Sequence, residues 1–345
     1  MKSLVVVVAT AGKGVFITVR KIMKSKLFWL VLLIGFIDLN NSSLFIEPSG
    51  RPTLIAHRGL GQTFSMDGVT SDTNTAARIY PPEHMFIENT IPSMEAAFAA
   101  GADVVELDIH PTTDGDFAVF HDWILEYRTN GSGPVRDYPM SYLKTLDVGY
   151  GYTANGGKTY PLRGLGVGLM PTLEEVLNRF PDKRFLIHIK SNDQQEGILL
   201  AQYLSRFEPN QLELLTVYGG NEPIAALKEI MPDIKVMSKA TMLPALAQYM
   251  LVGWTGWVPP AMRDAHFHIP LRYARFLWGW PHRLVQRLDR VGSTLVVVRG
   301  DGSWSEGFDS PEHLRDLPIG FSGGIWTNRI DRIGKILGIS DTFHN

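Results

Sequence analysis

The sequence predicts a TIM-type (β/α)8 barrel, an α/β fold, with insertions after strands 1 and 3. Three observations lead there. From Arg51 onward, short β-rich runs alternate with stretches of helical period. The β-rich runs are nearly continuous in apolar residues, as strands buried on both faces of a parallel sheet are. The two long breaks in the alternation follow predicted strands directly, at the end of a barrel where active-site connections grow.

Eight strands are expected, at Thr53–His57, Val104–Ile109, Phe117–His121, Phe185–Lys190, Leu212–Tyr218, Ile234–Met237, Thr294–Val298 and Gly324–Trp326. Helical periods fall between them at Ile91–Ala100, Thr172–Phe180, Gln194–Phe207 and Pro223–Met231. The insertions are Gly61–Pro82, which is polar, and Asn130–Met170, which is rich in Gly, Pro and Tyr. A doubly wound open sheet is the alternative. Its dinucleotide fingerprint is missing, because the first strand leads into HRGLGQ rather than G-x-G-x-x-G. A third segment, Gly253–His282, carries Trp254, Trp257, Trp278, Trp280, Phe267, Tyr273 and Phe276. It reads as core packing under a long loop, or as a lid or membrane-facing surface.

Composition narrows the function classes. Of 345 residues, 45% are hydrophobic and 20% charged, enough apolar material for a sizeable core. Lys+Arg 33 against Asp+Glu 35 leaves a net charge of -2, with no basic field to gather nucleic acid. Cysteine is absent, which removes disulfides, thiolate metal sites and cysteine nucleophiles together.

Residues 1–50 differ in character from the barrel domain expected over 51–345. The basic residues Arg20, Lys21, Lys24 and Lys26 precede the apolar run Leu27–Ile37, and polar DLNNSS follows. A positive stretch before an apolar one of this length is the pattern of a signal or membrane-anchor segment. By the positive-inside rule it would put the barrel on the extracytoplasmic side, membrane-anchored or secreted. The rival reading is an apolar helix docked on the barrel.

Five pieces carry the chemistry. They are His57-Arg58-Gly59, Glu88-Asn89-Thr90, Glu106-x-Asp108, His121-Asp122 and His188-x-Lys190, each at or just beyond a predicted strand end and so on one rim. Residues two apart on a strand point the same way, so Glu106 and Asp108 project together. Two hard carboxylates on a buried strand suit a divalent cation. Arg58 offers a two-pronged fork for phosphate oxygens, and Lys190 adds a second positive charge. His57 and His121 are imidazoles fit to activate a nucleophile and protonate a leaving alkoxide. His110, His266, His268 and His282 lack a comparable setting and read as structural.

HRG, then ENT with a helix ending AAGAD, then VELDIHPTTDGDFAVFHD, resembles the glycerophosphodiester phosphodiesterase family. The likeness resumes at FLIHIK and GGIWTNRIDRIGKIL, so it runs from about Pro52 to Leu337 and is densest from Glu88 to Asp122. The resemblance implies that His57 and His121 are the acid–base pair and that Glu106 and Asp108 bind a metal. Where the family reads E-x-K and uses the Glu as a third ligand, this chain has His188. One divalent ion is expected, Mg²⁺ or Ca²⁺ first, with Mn²⁺ or Zn²⁺ favoured by an imidazole ligand. The implied reaction cleaves a glycerophosphodiester, a small-molecule or lipid phosphodiester, to glycerol 3-phosphate and an alcohol. The alternatives are a lysophospholipase D or sphingomyelinase D-like enzyme and a non-catalytic relative that binds phosphodiesters.

Overall fold

The computed structural model describes residues 26–44, 46, 50–70, 72–301 and 306–339. Eight parallel strands form the barrel: β1 (Thr53–Ala56), β2 (Val104–Pro111), β4 (Arg184–Ile189), β5 (Leu215–Gly219), β6 (Lys235–Met237), β7 (His266–Pro270), β8 (Thr294–Val298) and β9 (Gly324–Thr327). β3 (Phe117–Val119) stands outside that set and pairs antiparallel with β2. The hydrogen-bonded order is β6-β5-β4-β2-β1-β9-β8-β7. The two end strands meet without a ladder, where the His268 amide donates to Met237 Sδ at 3.3 Å. The sheet therefore curls into a nearly closed barrel, and the open-sheet alternative falls.

Two strand expectations are corrected. Phe117–His121 is no barrel strand, because it folds back on β2 as a hairpin, with Val119 opposite Ile109. The missing strand is His266–Pro270, inside the aromatic segment. Its two histidines and terminal proline broke the apolar run by which buried strands are recognised. Elsewhere in that segment Phe267 is buried, Trp278 and Trp280 pack against the core, and Trp257, Tyr273 and Phe276 are exposed.

Among the described residues, the helices of seven residues or more are α1 (Lys26–Asn41), α2 (Ile91–Ala99), α3 (Leu173–Arg179), α4 (Gln194–Leu204), α5 (Asn221–Ile230), α6 (Lys239–Val252), α7 (His282–Asp289) and α8 (Ile330–Ile336). Three begin with reciprocal caps that satisfy otherwise orphaned amides, Thr90 with Ser93, Thr172 with Glu175 and Ser238 with Thr241. The main core lies between the sheet's outer face and these helices, with Leu54, Val105, Leu107, Ile187 and Val217 fully buried there. A smaller cluster fills the barrel interior, built from Ile55, Leu186, Val296, Val298 and Trp326. A third joins the two insertions through Ala76, Ile79, Ile87, Phe120, Val135 and Leu143. The insertions therefore form one wall over the rim.

The apolar run Leu27–Ile37 lies in α1, none of whose residues is buried, so it is not docked along the barrel. Among the described residues no helix is long and apolar enough to cross a membrane. The basic residues Arg20, Lys21 and Lys24 lie outside the described residues.

Glu83 clamps the first insertion to the chain's end, pairing with Arg329 and Arg332 at 2.6 Å each. These hydrogen bonds lower its pKa from 4.5 to about 2. A depressed carboxylate stabilises the fold above its unfolded pKa and loses that contribution as pH falls through the folded one. The melting temperature of Glu83→Gln is expected to lie below wild type at pH 6, with the gap closing as pH falls towards 2. A gap independent of pH would assign the clamp to packing.

Candidate active site

The rim geometry begins in the backbone after β1. Arg58 adopts φ +58°, Gly59 +78° and, facing them, Asn89 +58°. A Cβ on Gly59 would sit 2.6 Å from Ser93 Oγ, so only glycine lets the turn lie against α2. The turn is fixed by Asn89 N–H donating to Arg58 O at 2.9 Å and Leu60 N–H to Ser93 O at 3.0 Å. It delivers His57 and Arg58 over the barrel mouth and Glu88 and Asn89 beside them.

Strand register does the rest. Asp108 on β2 pairs with His188 on β4, which pairs with Tyr218 on β5, so three interior side chains lie in one row. His188 stacks on Tyr218 at 4.3 Å, nearly parallel. Glu106 and Asp108 are 0% and 1% exposed, which makes their partners obligatory. Glu106 accepts from Tyr218 Oη at 2.7 Å and from the Arg58 amide at 3.1 Å. Asp108 meets His188 Nδ1 at 2.8 Å, Lys190 Nζ at 3.4 Å, and Asn89 Nδ2 at 3.0 Å. Arg58 Nε is 3.2 Å from Asp108 but out of line for a hydrogen bond, and it is buried without another partner.

Burial and the neighbouring Asp108 push the Glu106 carboxyl well above the usual carboxylate range. Burial also opposes charge on Asp108, but Lys190, His121 and Arg58 outweigh it and hold that group low. The two carboxylates are thus driven apart in acidity.

The histidines are oriented from behind. His57 Nδ1 lies 2.6 Å from Asn328 Oδ1. Asn328 cannot present its amine there, because Nδ2 donates to Asp309 Oδ2 at 3.0 Å and its backbone N–H to Asp309 Oδ1. His57 therefore carries its proton on Nδ1 and leaves Nε2 bare, 3.9 Å from Glu106. His121 Nδ1 lies 2.7 Å from Asp122, which can only accept, so its Nε2 is bare as well. Burial, with Arg58 next, lowers the His57 pKa to about 3; burial, with Arg58 and Lys190, lowers that of His121 to about 4.

All seven residues singled out from the sequence converge here. Several were missed. Arg128 is buried and joins Asp122, with Glu88 at 3.2 Å, Tyr152 Oη at 3.0 Å and Thr75 Oγ1 at 2.8 Å. Glu88 in turn accepts from Arg58 Nη1 at 2.8 Å. Nothing in the local sequence marks Arg128, because its partners come from four separate segments. Tyr218 and Asp309 escaped because their partners likewise lie on other segments. Of the histidines read as structural, His110 is buried, and His268 stands near Trp326 and Tyr218 on the barrel's inner face.

Glu106, Asp108 and His188 form a cluster able to hold a metal ion, with one candidate ligand atom from each lying within 4.8 Å of the others. Two carboxylates and an imidazole on rigid strands fit a divalent ion by donor type. The unaligned Arg58 Nε beside them is a donor suited to an anion at the same spot.

The family model of the glycerophosphoryl diester phosphodiesterase family matches residues 57–233. A Bacillus subtilis glycerophosphodiester phosphodiesterase is 37% identical over 172 residues, 49% of this chain and 54% of that protein. The chain spans about half the length of the curated relatives it matches. The phosphodiesterase domain of a Mycobacterium tuberculosis protein superimposes with TM-score 0.57 at 17% identity, over 84% of this chain and 100% of that one. An Oleispira antarctica phosphodiesterase, solved with the product sn-glycerol-3-phosphate, gives TM-score 0.51 at 20% identity, over 83% of this chain and 97% of that one. At these identities the superpositions speak to the barrel alone. With the match running over more than half of the sequence, from His57 through Lys190 and beyond, the chain belongs to the glycerophosphoryl diester phosphodiesterase family.

Proposed function

We propose that this chain hydrolyses a glycerophosphodiester to glycerol 3-phosphate and an alcohol. One observation carries the reading: two histidines with bare Nε2 atoms flank a buried carboxylate–imidazole cluster, with Arg58 and Lys190 beside it. The likeness to the Bacillus subtilis glycerophosphodiester phosphodiesterase supports this substrate class.

Arg58 and Lys190 hold the phosphate oxygens. A divalent ion on Glu106, Asp108 and His188 supplies positive charge for the transition state when bound. One histidine Nε2 takes the proton from the attacking nucleophile. The other must first take up a proton from solvent at its Nε2, which it gives to the leaving oxygen as the P–O bond breaks; the base then releases the nucleophile's proton to solvent. His121 is the better store for an added proton, because the Asp122 carboxylate behind it stabilises an imidazolium and the Asn328 amide behind His57 does not. A tether to a lipid surface through α1 belongs to the same reading, supported by the basic residues before its apolar run.

The test is release of glycerol 3-phosphate by the purified full chain from a panel of glycerophosphodiesters and lysophospholipids, with divalent ions added. Glu106→Ala and Asp108→Ala are expected to abolish turnover and ion binding while circular dichroism stays native. Undiminished turnover in both would remove the metal reading.

His188 is expected to set ion preference. A neutral ligand leaves two formal negative charges, so His188→Glu should raise Mg²⁺ and Ca²⁺ affinity and erode any advantage of Mn²⁺ or Zn²⁺. His188→Ala should weaken all four. Calorimetric profiles unchanged in both variants would limit His188 to packing on Tyr218.

Arg128 acts through Asp122 and is a positioning residue. In Arg128→Gln the freed Asp122 charge should raise the His121 pKa, moving the acid limb of the pH–rate profile upward. kcat should fall about a hundredfold, the low end of what a positioned acid–base group contributes. Arg128→Lys should restore the limb and only part of kcat. An unmoved limb in the Gln variant would confine Arg128 to the fold.

A further inference from the structure

We propose that α1, with the exposed Leu251 and Trp257 beside its root, docks the barrel base-first on a lipid surface and leaves the active-site mouth in water. The inference rests on the phosphodiesterase reading for its functional consequence and on independent geometry for the docking itself.

The helix has no face to give a protein partner. Leu30, Val31, Leu32, Leu33 and Ile34 are all exposed, and five successive residues at 100° each pass once round the axis. A partner helix or groove covers one stripe and would leave the remaining aliphatic side chains in water. Only an apolar medium covers every side. At 1.5 Å per residue the run Leu27–Ile37 is about 16 Å long, roughly half of a ~30 Å hydrocarbon core. It suits insertion into one leaflet.

The root is rigid. Asn40 and Asn41 both donate to Trp254 O, at 3.0 and 2.9 Å. The buried Arg287 donates to Asn40 O at 2.7 Å and to Asn41 Oδ1 at 3.0 Å, and holds Gly253 O at 3.1 Å. Gly256, at φ +88°, packs closely on Asn40, where a Cβ would lie about 3.0 Å from the Asn40 amide. Leu251 and Trp257, three residues either side of Trp254, are 75% and 49% exposed, and an indole at such a position suits the headgroup boundary.

Topology fixes where this root lies. α6 leaves the mouth after β6 and runs back, so Val252 and Trp254 are at the end where strands begin. The chain from α1 likewise enters β1 at Thr53 from that end. The catalytic groups sit at the other, and an eight-residue strand such as β2 is about 26 Å long. A lipid embedded in the same bilayer cannot reach them. The substrate class is therefore a water-soluble phosphodiester.

The chain has no cysteine, so single labels are clean. A fluorophore on Arg263→Cys reports the base, and one on Lys158→Cys, in the second insertion, reports the mouth side. With phosphatidylcholine–phosphatidylglycerol vesicles carrying a nitroxide-labelled lipid, the Arg263 label should be quenched and the Lys158 label should not. Leu30→Asp/Leu33→Asp should abolish vesicle binding while leaving turnover of a soluble glycerophosphodiester unchanged. Lysophospholipid embedded in the same vesicles should survive. Quenching at Lys158 alone, a chain that ignores vesicles, or self-association through α1 in their presence would each overturn the docking. Base-first quenching in a protein that cleaves no phosphodiester would instead sink the phosphodiesterase reading and leave the docking standing.

Discussion

Two carboxylates buried side by side on one barrel strand are the constraint on which the rest of the structure depends. Glu106 and Asp108 have no access to water, and buried charges persist only when paired and fully hydrogen-bonded. Every distinctive feature of the rim answers that requirement. The left-handed Arg58 brings a backbone amide to Glu106 and a guanidinium towards Asp108. The left-handed Asn89 bonds both the side chain and the amide of Asp108. Breaking a buried pair by removing one member typically costs about 3–5 kcal/mol, which is why these groups form a unit rather than a collection.

The unit extends outwards as a chain of alternating charge. Asp108 is flanked by Arg58, Arg58 by Glu88, Glu88 by Arg128 and Arg128 by Asp122, which orients His121. The insertions hold the far end of this chain, since Thr75 and Tyr152 supply the last two partners of Arg128. The wall over the rim therefore positions the His121 imidazole, while the opposite edge of the site, Asn328 backed by Asp309, positions that of His57.

Much of this was legible in the sequence because it depends on spacing along a single strand or turn. Glu106 and Asp108 share a face by the two-residue period alone, and HRG announces itself at a barrel strand end, whereas HD reaches the rim only because its hairpin folds back on β2. What depends on strand order was not legible. Nothing in FAVFH distinguishes a hairpin partner of β2 from a barrel strand, and HFHIP hides a barrel strand behind polar rings. The row Asp108–His188–Tyr218 exists only because β2, β4 and β5 are neighbours in a fixed register. The exposed apolar α1 was visible as composition, but its root at the base required Trp254 and Arg287, more than two hundred residues away in sequence.

The charge balance of the site explains why its two carboxylates differ. Glu88, Glu106, Asp108 and Asp122 face Arg58, Arg128 and Lys190, so four acids meet three cations and one negative charge is left over. The group that absorbs the excess is Glu106, whose affinity for a proton burial and Asp108 push up. With that proton held, the side chains alone are neutral. A divalent ion binding by itself would displace the proton and leave one positive charge in a desolvated pocket, which is costly. A phosphodiester monoanion arriving with it restores neutrality. By this count of charges, a pocket holding both a divalent ion and a phosphodiester would be neutral, whereas one holding the ion alone would not.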